Sequence, residues 1–512
     1  VTRSADTDVL KQKDPRVLNF LAAAYCPDVV QGGQAEPLTV MNVLVKGAED
    51  THSMLEEGQY VWREVDGVRR RFPVRNWEQM AAERHAKGLP GYHQAWKVRF
   101  VEMPTIEGQE SWALTRLMGG MAPEFMYSMR TPDYHKRADH WYVDITDYLR
   151  RPNPYVPGNK RWMDLFYPGT LDKWRSSNKR FHCVPIDQVE IAVFYNKDIF
   201  KECGIDESEL ADMDWKRFME IHEIIRKHGY VPFNMTAGQD MRINWMHRIF
   251  NDMVYAGIYD ELNVVDDHML PGISSIDPQE KVRAIRKGIV RIGSDRYWES
   301  WRIIKEWSKY WQEGYLSETD NLKFRKGKTA MCLDGSWYVK TLEKDKERAK
   351  KFQYGTFFIP RLTKRTSPYA TGVLPRGVGG ATAIQYSITK VSATRKDAVE
   401  ACVDLLMWIT APQNIGPLVA ENESFLPAVR GAKLSEKLKF MQPVLDRGSV
   451  QMDGFDMLDT RCRESWWKAM HGWLEGIYDR PTVTAKMQKA IERYIRDTVR
   501  ENPNQWKWIK DE

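Results

Sequence analysis

Cysteine is sparse in this 512-residue chain, and no two of its six cysteines stand at C-x-x-C spacing. Cys26, Cys183, Cys203, Cys332, Cys402 and Cys462 are scattered, so neither a zinc site nor a disulfide framework can be read from them. Cys332, on a strand-like run, and Cys402, on an amphipathic helical one, are expected to be buried thiols. Charge of one sign is equally scarce. The net charge is +6 and dispersed, which gives no electrostatic footprint for nucleic acid. No apolar run approaches the ~18 residues of a membrane-spanning helix. The chain also lacks a P-loop, a nucleophile elbow, an H-E-x-x-H pair and a Rossmann glycine pattern, and no metal or cofactor is expected. Tandem repeats and low-complexity segments are missing too.

What is present describes a globular protein: 42% hydrophobic and 29% charged residues, on a chain long enough for two large domains. Aromatics stand out, with 20 Trp and 22 Tyr. Such side chains pair a flat apolar face with a polar edge and can stack on sugars, although helical ones such as Trp301 and Trp307 fit a core. Of the two basic runs, Arg69-Arg70-Arg71 and Lys344 to Lys351, the second contains Asp345 and Glu347 and reads as a solvated helix face. The start, Val1-Thr-Arg-Ser-Ala-Asp, is charged and unlike a signal peptide, so an exported protein would have lost its leader from this chain. Val17 to Cys26 has no small residue before the cysteine, which leaves lipid anchoring open.

The element order points to an open α/β sheet. Leu38 to Val45 reads as a buried strand between Pro37 and Gly47, followed by a helix over Trp77 to Ala86 and a strand over Trp96 to Glu102. A helix over Gln109 to Met118 ends at Gly119-Gly120, and Pro123 to Tyr127 is strand-like. A Pro-, Asn- and Gly-rich surface stretch from Asp144 to Lys179 precedes strands over Phe181 to Ile186 and Val189 to Tyr195. Beyond Asn196 helices dominate. Trp215, Phe218, Ile221 and Ile225 share one face of a helix with Asp214 as N-cap and Gly229 as its stop. Trp298 to Tyr310 and Thr394 to Ile409 are also helical, the latter with Thr394 and Asp397 spaced as a capping box. Gly377-Val-Gly-Gly380 precedes a strand over Ala383 to Ile388 and suits a hinge or a close backbone approach to ligand.

One segment is more specific than the rest. Phe324-Arg-Lys-Gly-Lys-Thr-Ala-Met-Cys-Leu-Asp-Gly-Ser-Trp337 carries a basic turn into an apolar strand ending on Gly-x-Trp. It resembles a signature of the family 1 extracellular solute-binding proteins, the maltose-binding-protein type. Four further segments match in order: Val184 to Asp198, ending Tyr-Asn-Lys-Asp; Gly119-Gly-Met-Ala-Pro-Glu124, with Glu in place of the usual Asp; Pro232-Phe-Asn-Met leading to Ile243-Asn-Trp245; and Ser465-Trp-Trp-Lys-Ala-Met with Arg480-Pro-Thr-Val483.

The resemblance implies a type II periplasmic-binding fold, two α/β lobes joined by a three-segment hinge with an interlobe ligand cleft. It places one lobe at 1–187 with 380–428 and the other at 188–379 with 429–512. It implies an exported, periplasmic or extracellular monomer that binds a carbohydrate, expected to be an oligosaccharide, and delivers it to the permease subunits of an ABC transporter. The segments before Pro37 and between Gly47 and Asn76 are additions to the family pattern.

Trp337 and Trp466 each end a matched motif and are expected to stack on a sugar ring, with core packing as the alternative for both. Trp245 shares a helical face with Met241, Ile249 and Met253 and fits core or contact equally. Tyr127, Ser128 and Arg130 follow the strand that meets the sugar in the family; Arg130 suits a hydroxyl pair, a uronate or plain solvent. Asp187, Gln188 and Glu190 flank the first crossing, with Gln188 and Glu190 on one face if the strand is regular. Asp240 and Arg242 sit where the family places contacts, and a local ion pair accounts for them as well. Gly379 and Gly380 can offer backbone amides, and Glu423 lies near the third crossing. Two other classes remain: a carbohydrate-active enzyme using two of these carboxylates, and a receptor for a non-sugar solute such as a peptide or polyamine.

Overall fold

Strands far apart in sequence meet in the first sheet, whose order is Lys97–Phe100, Val17–Leu21, Phe125–Tyr127, Gln385–Ile388, Cys183–Pro185. The first three are parallel, and Gln385–Ile388 runs antiparallel to both its neighbours. The computed structural model describes residues 16–21, 41, 44–45, 54–56, 60–65, 68–73, 76–89, 95–100, 109–128, 134–176, 178–238, 241–264, 275–378, 384–420 and 425–501. It divides into two units, Val1–Val189 with Gly380–Lys439, and Glu190–Gly379 with Phe440–Glu512.

In the first unit, helix Trp77–Ala86 opens on a capping box. Asn76 accepts from the Gln79 amide, and the Gln79 side chain accepts from the Asn76 amide. Its Trp77 indole and Arg84 both reach Asp404, at 2.9 and 2.6 Å, which ties it to helix Ala398–Ile409. The ring of Phe20 packs on Phe125 and Tyr386, 4.2 and 5.0 Å between centroids, and binds three strands into one core. Glu124 accepts from both the backbone and the side chain of Asn19 at 2.9 Å, so the residue that departs from the family pattern pins two neighbouring strands together.

Two expectations are corrected here. The run Leu38 to Val45 is not a strand at its described positions: Met41, Leu44 and Val45 are helical and buried. An apolar run of that length carries no periodicity that distinguishes the two states. Helix Ala398–Ile409 is not opened by a capping box either. Asp397 adopts φ +58° and makes no capping bond, while the Thr394 hydroxyl donates to the Val391 carbonyl within a preceding 3-10 turn. Between Gly47 and Asn76 the chain adds a three-stranded antiparallel meander, Met54–Glu56, Tyr60–Val65 and Val68–Pro73, the last holding Arg69 to Arg71.

The second unit is built on a four-stranded sheet in the order Val231–Asn234, Thr329–Gly335, Ile191–Asn196, Tyr354–Phe357, with the first pair parallel and the others antiparallel. Helix Trp215–Lys227 follows its sequence pattern. Asp214 accepts from the Arg217 amide at 2.9 Å, Gly229 takes φ +84° just past the end, and Trp215, Phe218, Ile221 and Ile225 are buried. Trp215 and Phe233 meet Trp307 of helix Asp295–Ser308 at 5.3 and 4.7 Å. Cys332 and Cys402 are both buried. No helix of the described residues is long and apolar enough to cross a membrane.

Candidate functional site

Parallel strands deliver their following loops to one end of a sheet, and that end is where open α/β proteins hold ligands. Tyr127 and Ser128 with Asp187 and Gln188 fall at this end in the first unit, and Glu190 and Trp337 in the second.

In the first unit Phe125–Tyr127 ends at Ser128. The Ser128 amide donates to the Gln385 carbonyl at 2.9 Å, its carbonyl accepts from the Gln385 side chain, and its hydroxyl is bonded to that of Ser387. Tyr127 pairs with Tyr386 and is 8% exposed. Asp187 is fully buried, and its carboxylate accepts from the Ile384 amide at 2.5 Å. Gln188 accepts from the Thr170 hydroxyl at 3.3 Å and donates to the Pro427 carbonyl at 3.4 Å. Burial, and then the Asp187 charge, push the Tyr386 phenol well above its ordinary range. These polar groups bond to the two segments, around 384–387 and 426–427, that return to this unit late in the sequence.

In the second unit the strand Thr329–Gly335 ends beside Ile191, and the Ser336 amide donates to the Glu190 carbonyl at 2.8 Å. Trp337 opens helix Trp337–Lys344 immediately after the strand, and its indole folds back over Gly335. A Cβ at Gly335 would lie 2.2 Å from two of its ring carbons. The Gly-x-Trp motif thus has a steric cause, because the glycine makes room for the ring. Trp337 is partly exposed and meets the edge of Trp245 at 5.8 Å and 62°. Trp245, on helix Met241–Tyr255, is 6% exposed, so it backs Trp337 while packing into the core.

Arg242, one turn earlier, forms a buried ion pair with Asp334 at 2.8 Å. Its Nε also donates to the Leu333 carbonyl, Asn321 donates to the same Asp334 oxygen at 2.6 Å, and the Gly335 amide donates to the other. This buried knot fixes the end of the strand from which Trp337 projects. Glu190 is buried with its carboxylate over Gly377, where a Cβ would come within 2.2 to 2.4 Å of it.

Trp466, expected to face a ligand, has no exposed surface. Helix Thr460–Glu475 turns Cys462, Trp466, Ala469 and Met470 inward, and the Trp466 indole packs between His247 at 5.0 Å and Trp301 at 6.3 Å. The partly exposed indoles that this helix presents are Trp467 and Trp473. The spacing of 462, 466, 469 and 470 was legible as a helical stripe and would have separated the two tryptophans. Arg130, Asp240, Gly379, Gly380 and Glu423 lie outside the described residues. Among the described residues no group of three or more His, Cys, Asp or Glu is placed to hold a metal ion.

Comparison with known proteins identifies the family and the fold. Residues 92–442, well over half of the chain, match the family model described as bacterial extracellular solute-binding protein. The multiple sugar-binding protein of Streptococcus mutans serotype c is 22% identical over 184 residues, 36% of this chain and 39% of that protein, so the chain matches well under half of that relative's length. Among solved structures, the cyclic alpha-maltosyl-1,6-maltose binding protein from Arthrobacter globiformis is 15% identical with a TM-score of 0.54, covering 83% of this chain and 97% of the other. A family 1 extracellular solute-binding protein from Bifidobacterium longum subsp. infantis is 13% identical with a TM-score of 0.55, covering 81% and 94%. The two solved structures share the α/β fold described above, and with its family match running from 92 to 442 the chain belongs to the bacterial extracellular solute-binding protein family.

Proposed function

We propose that this chain is the extracytoplasmic substrate-binding component of an ABC transporter and that its ligand is a carbohydrate, an oligosaccharide. The observation that carries the reading is the Trp337 indole, partly exposed at a strand end, backed edge-on by Trp245 and held over Gly335. A flat apolar face set among fixed hydrogen-bonding groups suits a pyranose, which offers an apolar face and a rim of hydroxyls. The sugars named for the similar proteins above, a maltosyl-maltose among them, support the same ligand class.

In this reading the two units act as the lobes of a receptor, and both contribute contacts. Tyr127, Ser128, Arg130, Asp187, Gln188, Gly379, Gly380 and Glu423 serve on or near the crossings. Glu190, Asp240, Arg242, Trp245, Trp337 and Trp467 serve in the second unit, with Trp466 enclosed behind Trp467. The chemistry is non-covalent. Closure around the ligand is followed by delivery of the intact sugar to membrane permease subunits, by a monomeric, exported protein. Binding is favoured over glycoside hydrolysis by the state of the carboxylates: Asp334 is committed to Arg242, Asn321 and the Gly335 amide, and Asp187 to the Ile384 amide. Calorimetric titration of wild type and Trp337→Ala with oligosaccharides tests the assignment. Retention of full affinity by Trp337→Ala would remove its central support.

A further inference from the structure

The basic run Arg69-Arg70-Arg71 plays no part in the function above, and the meander of the first unit sorts its charges by face. Tyr60–Val65 pairs with Val68–Pro73 in a register that sets Val61 opposite Phe72, Arg63 opposite Arg70 and Val65 opposite Val68. Met54–Glu56 joins from the other side with Leu55 opposite Val61. Faces alternate along a strand and directly opposed residues share one, so these residues lie on a single face. The other face takes Met54, Trp62 and Arg71 in one row, Glu56, Tyr60 and Pro73 in the next, and Glu64 opposite Arg69. Both acidic residues of the three strands, Glu56 and Glu64, thus stand on this second face, where two arginines balance them. The first face holds two arginines opposite one another and no acid. Like charges so placed destabilise a strand pair unless an anion is shared between them.

Charge also decides which face can pack on protein. Val68–Pro73 lies against helix Pro412–Ala420, whose sequence, Pro-Gln-Asn-Ile-Gly-Pro-Leu-Val-Ala, contains no charged residue. Two arginines turned onto that helix would lose their water and gain no carboxylate, a far greater cost than burying a balanced face. The face with Glu64 opposite Arg69, and with Tyr60 and Trp62, is the one suited to pack there. The arginine pair is left to the opposite side. Its setting is not that of an ordinary water-facing surface, because the Leu55, Val61 and Phe72 row borders it on one side and Val65 with Val68 on the other. Arginines among apolar residues match the boundary of a bilayer, where phosphates accept from guanidinium and apolar groups enter between the headgroups.

We propose that this face of the meander, with Arg63 and Arg70 at its centre, docks on an anionic phospholipid bilayer and holds the receptor at the membrane surface. The docking is independent of the ligand assigned above, so either can fail without the other.

The test is flotation of the full chain with vesicles of phosphatidylcholine alone or of an equal mixture of phosphatidylcholine and phosphatidylglycerol. Wild type is expected to float with the mixed vesicles, to stay behind with phosphatidylcholine, and to be released at high salt. Arg63→Gln with Arg70→Gln is expected to lower the partition constant about thirtyfold, roughly fivefold for each arginine. Arg69→Gln with Arg71→Gln removes the same charge from the other face and is expected to retain most of the binding. Absence of wild type from the mixed vesicles, equal binding to both kinds of vesicle, or equal losses in the two double variants overturns the proposal. Retention on heparin without binding to any vesicle also overturns it, in favour of a soluble polyanion. Thermal melts check that the variants fold. Should either double variant fail to do so, the single variants Arg70→Gln and Arg71→Gln decide on the same terms, since adjacent residues of one strand lie on opposite faces.

Discussion

Replacing Gly335 with alanine should cost ligand affinity without touching the ligand. The backbone admits the change, since Gly335 is not among the glycines held at positive φ. The obstacle is the Trp337 ring: the new methyl would sit 2.2 Å from Cη2 and Cζ3 and 2.5 Å from Cε3. Ordinary carbon contacts are about 3.5 to 4.0 Å, so the indole must withdraw by about 1 Å or more. That movement breaks the edge contact with Trp245 at 5.8 Å. Losing the stacking geometry costs about 1–3 kcal/mol of binding, a fall in affinity of roughly five- to 150-fold. The assay is a double-mutant cycle read by calorimetry on wild type, Gly335→Ala, Trp337→Ala and the double variant. In the Trp337→Ala background the methyl meets no ring, so the double variant should bind no worse than Trp337→Ala. Wild-type affinity in Gly335→Ala, or losses that simply add, would refute the reasoning.

Other consequences concern the frame around the site. Arg242→Ala leaves Asp334 buried without its cation and should destabilise the second unit by about 3–5 kcal/mol in a denaturant melt; Arg242→Lys should not rescue it, lacking the fork that reaches both Asp334 and the Leu333 carbonyl. A stable Arg242→Ala would show that the knot does not hold the strand end. His222 is fully buried, bonded through Nδ1 to the Phe218 carbonyl and accepting at Nε2 from the Trp307 indole, and burial pushes its pKa down from 6.5 to about 4. The folded state thus binds its proton later than the unfolded state. Its contribution is intact above pH 6.5 and is lost as pH falls toward 4, up to about 3 kcal/mol. His222→Gln should flatten the stability profile over that window, and parallel profiles for variant and wild type would contradict the assignment.

Some of this was legible in the residues. Helix Trp215–Lys227 announced its cap, its stripe and its stop because all three are local properties of adjacent side chains. The Gly-x-Trp tip was equally plain, since a glycine two residues before an indole records a steric need within one strand end. The run at Leu38 to Val45 misled because so short a run, broken at Thr39 and Asn42, shows no period that separates helix from strand. Trp466 and Trp467 were separable by helical phase, but the family's spacing to the last helix pointed to Trp466. The Arg242 to Asp334 pair, 92 residues apart, could not be foreseen, because the sequence does not state that helix Met241–Tyr255 crosses the end of Thr329–Gly335. The same holds for the bonds of Asp187 to the Ile384 amide and of Gln188 to the Pro427 carbonyl, whose partners arrive almost two hundred residues later or more.

The most direct test of the central claim is a thermal-shift screen of the purified chain against neutral and acidic oligosaccharides, peptides and polyamines, with every hit recovered and checked for cleavage. A ligand that binds only the folded state raises its melting temperature. The account predicts that an oligosaccharide raises it, is recovered intact, and loses its effect in Trp337→Ala. A sugar recovered in fragments, or a shift given by peptides or polyamines alone, would contradict it.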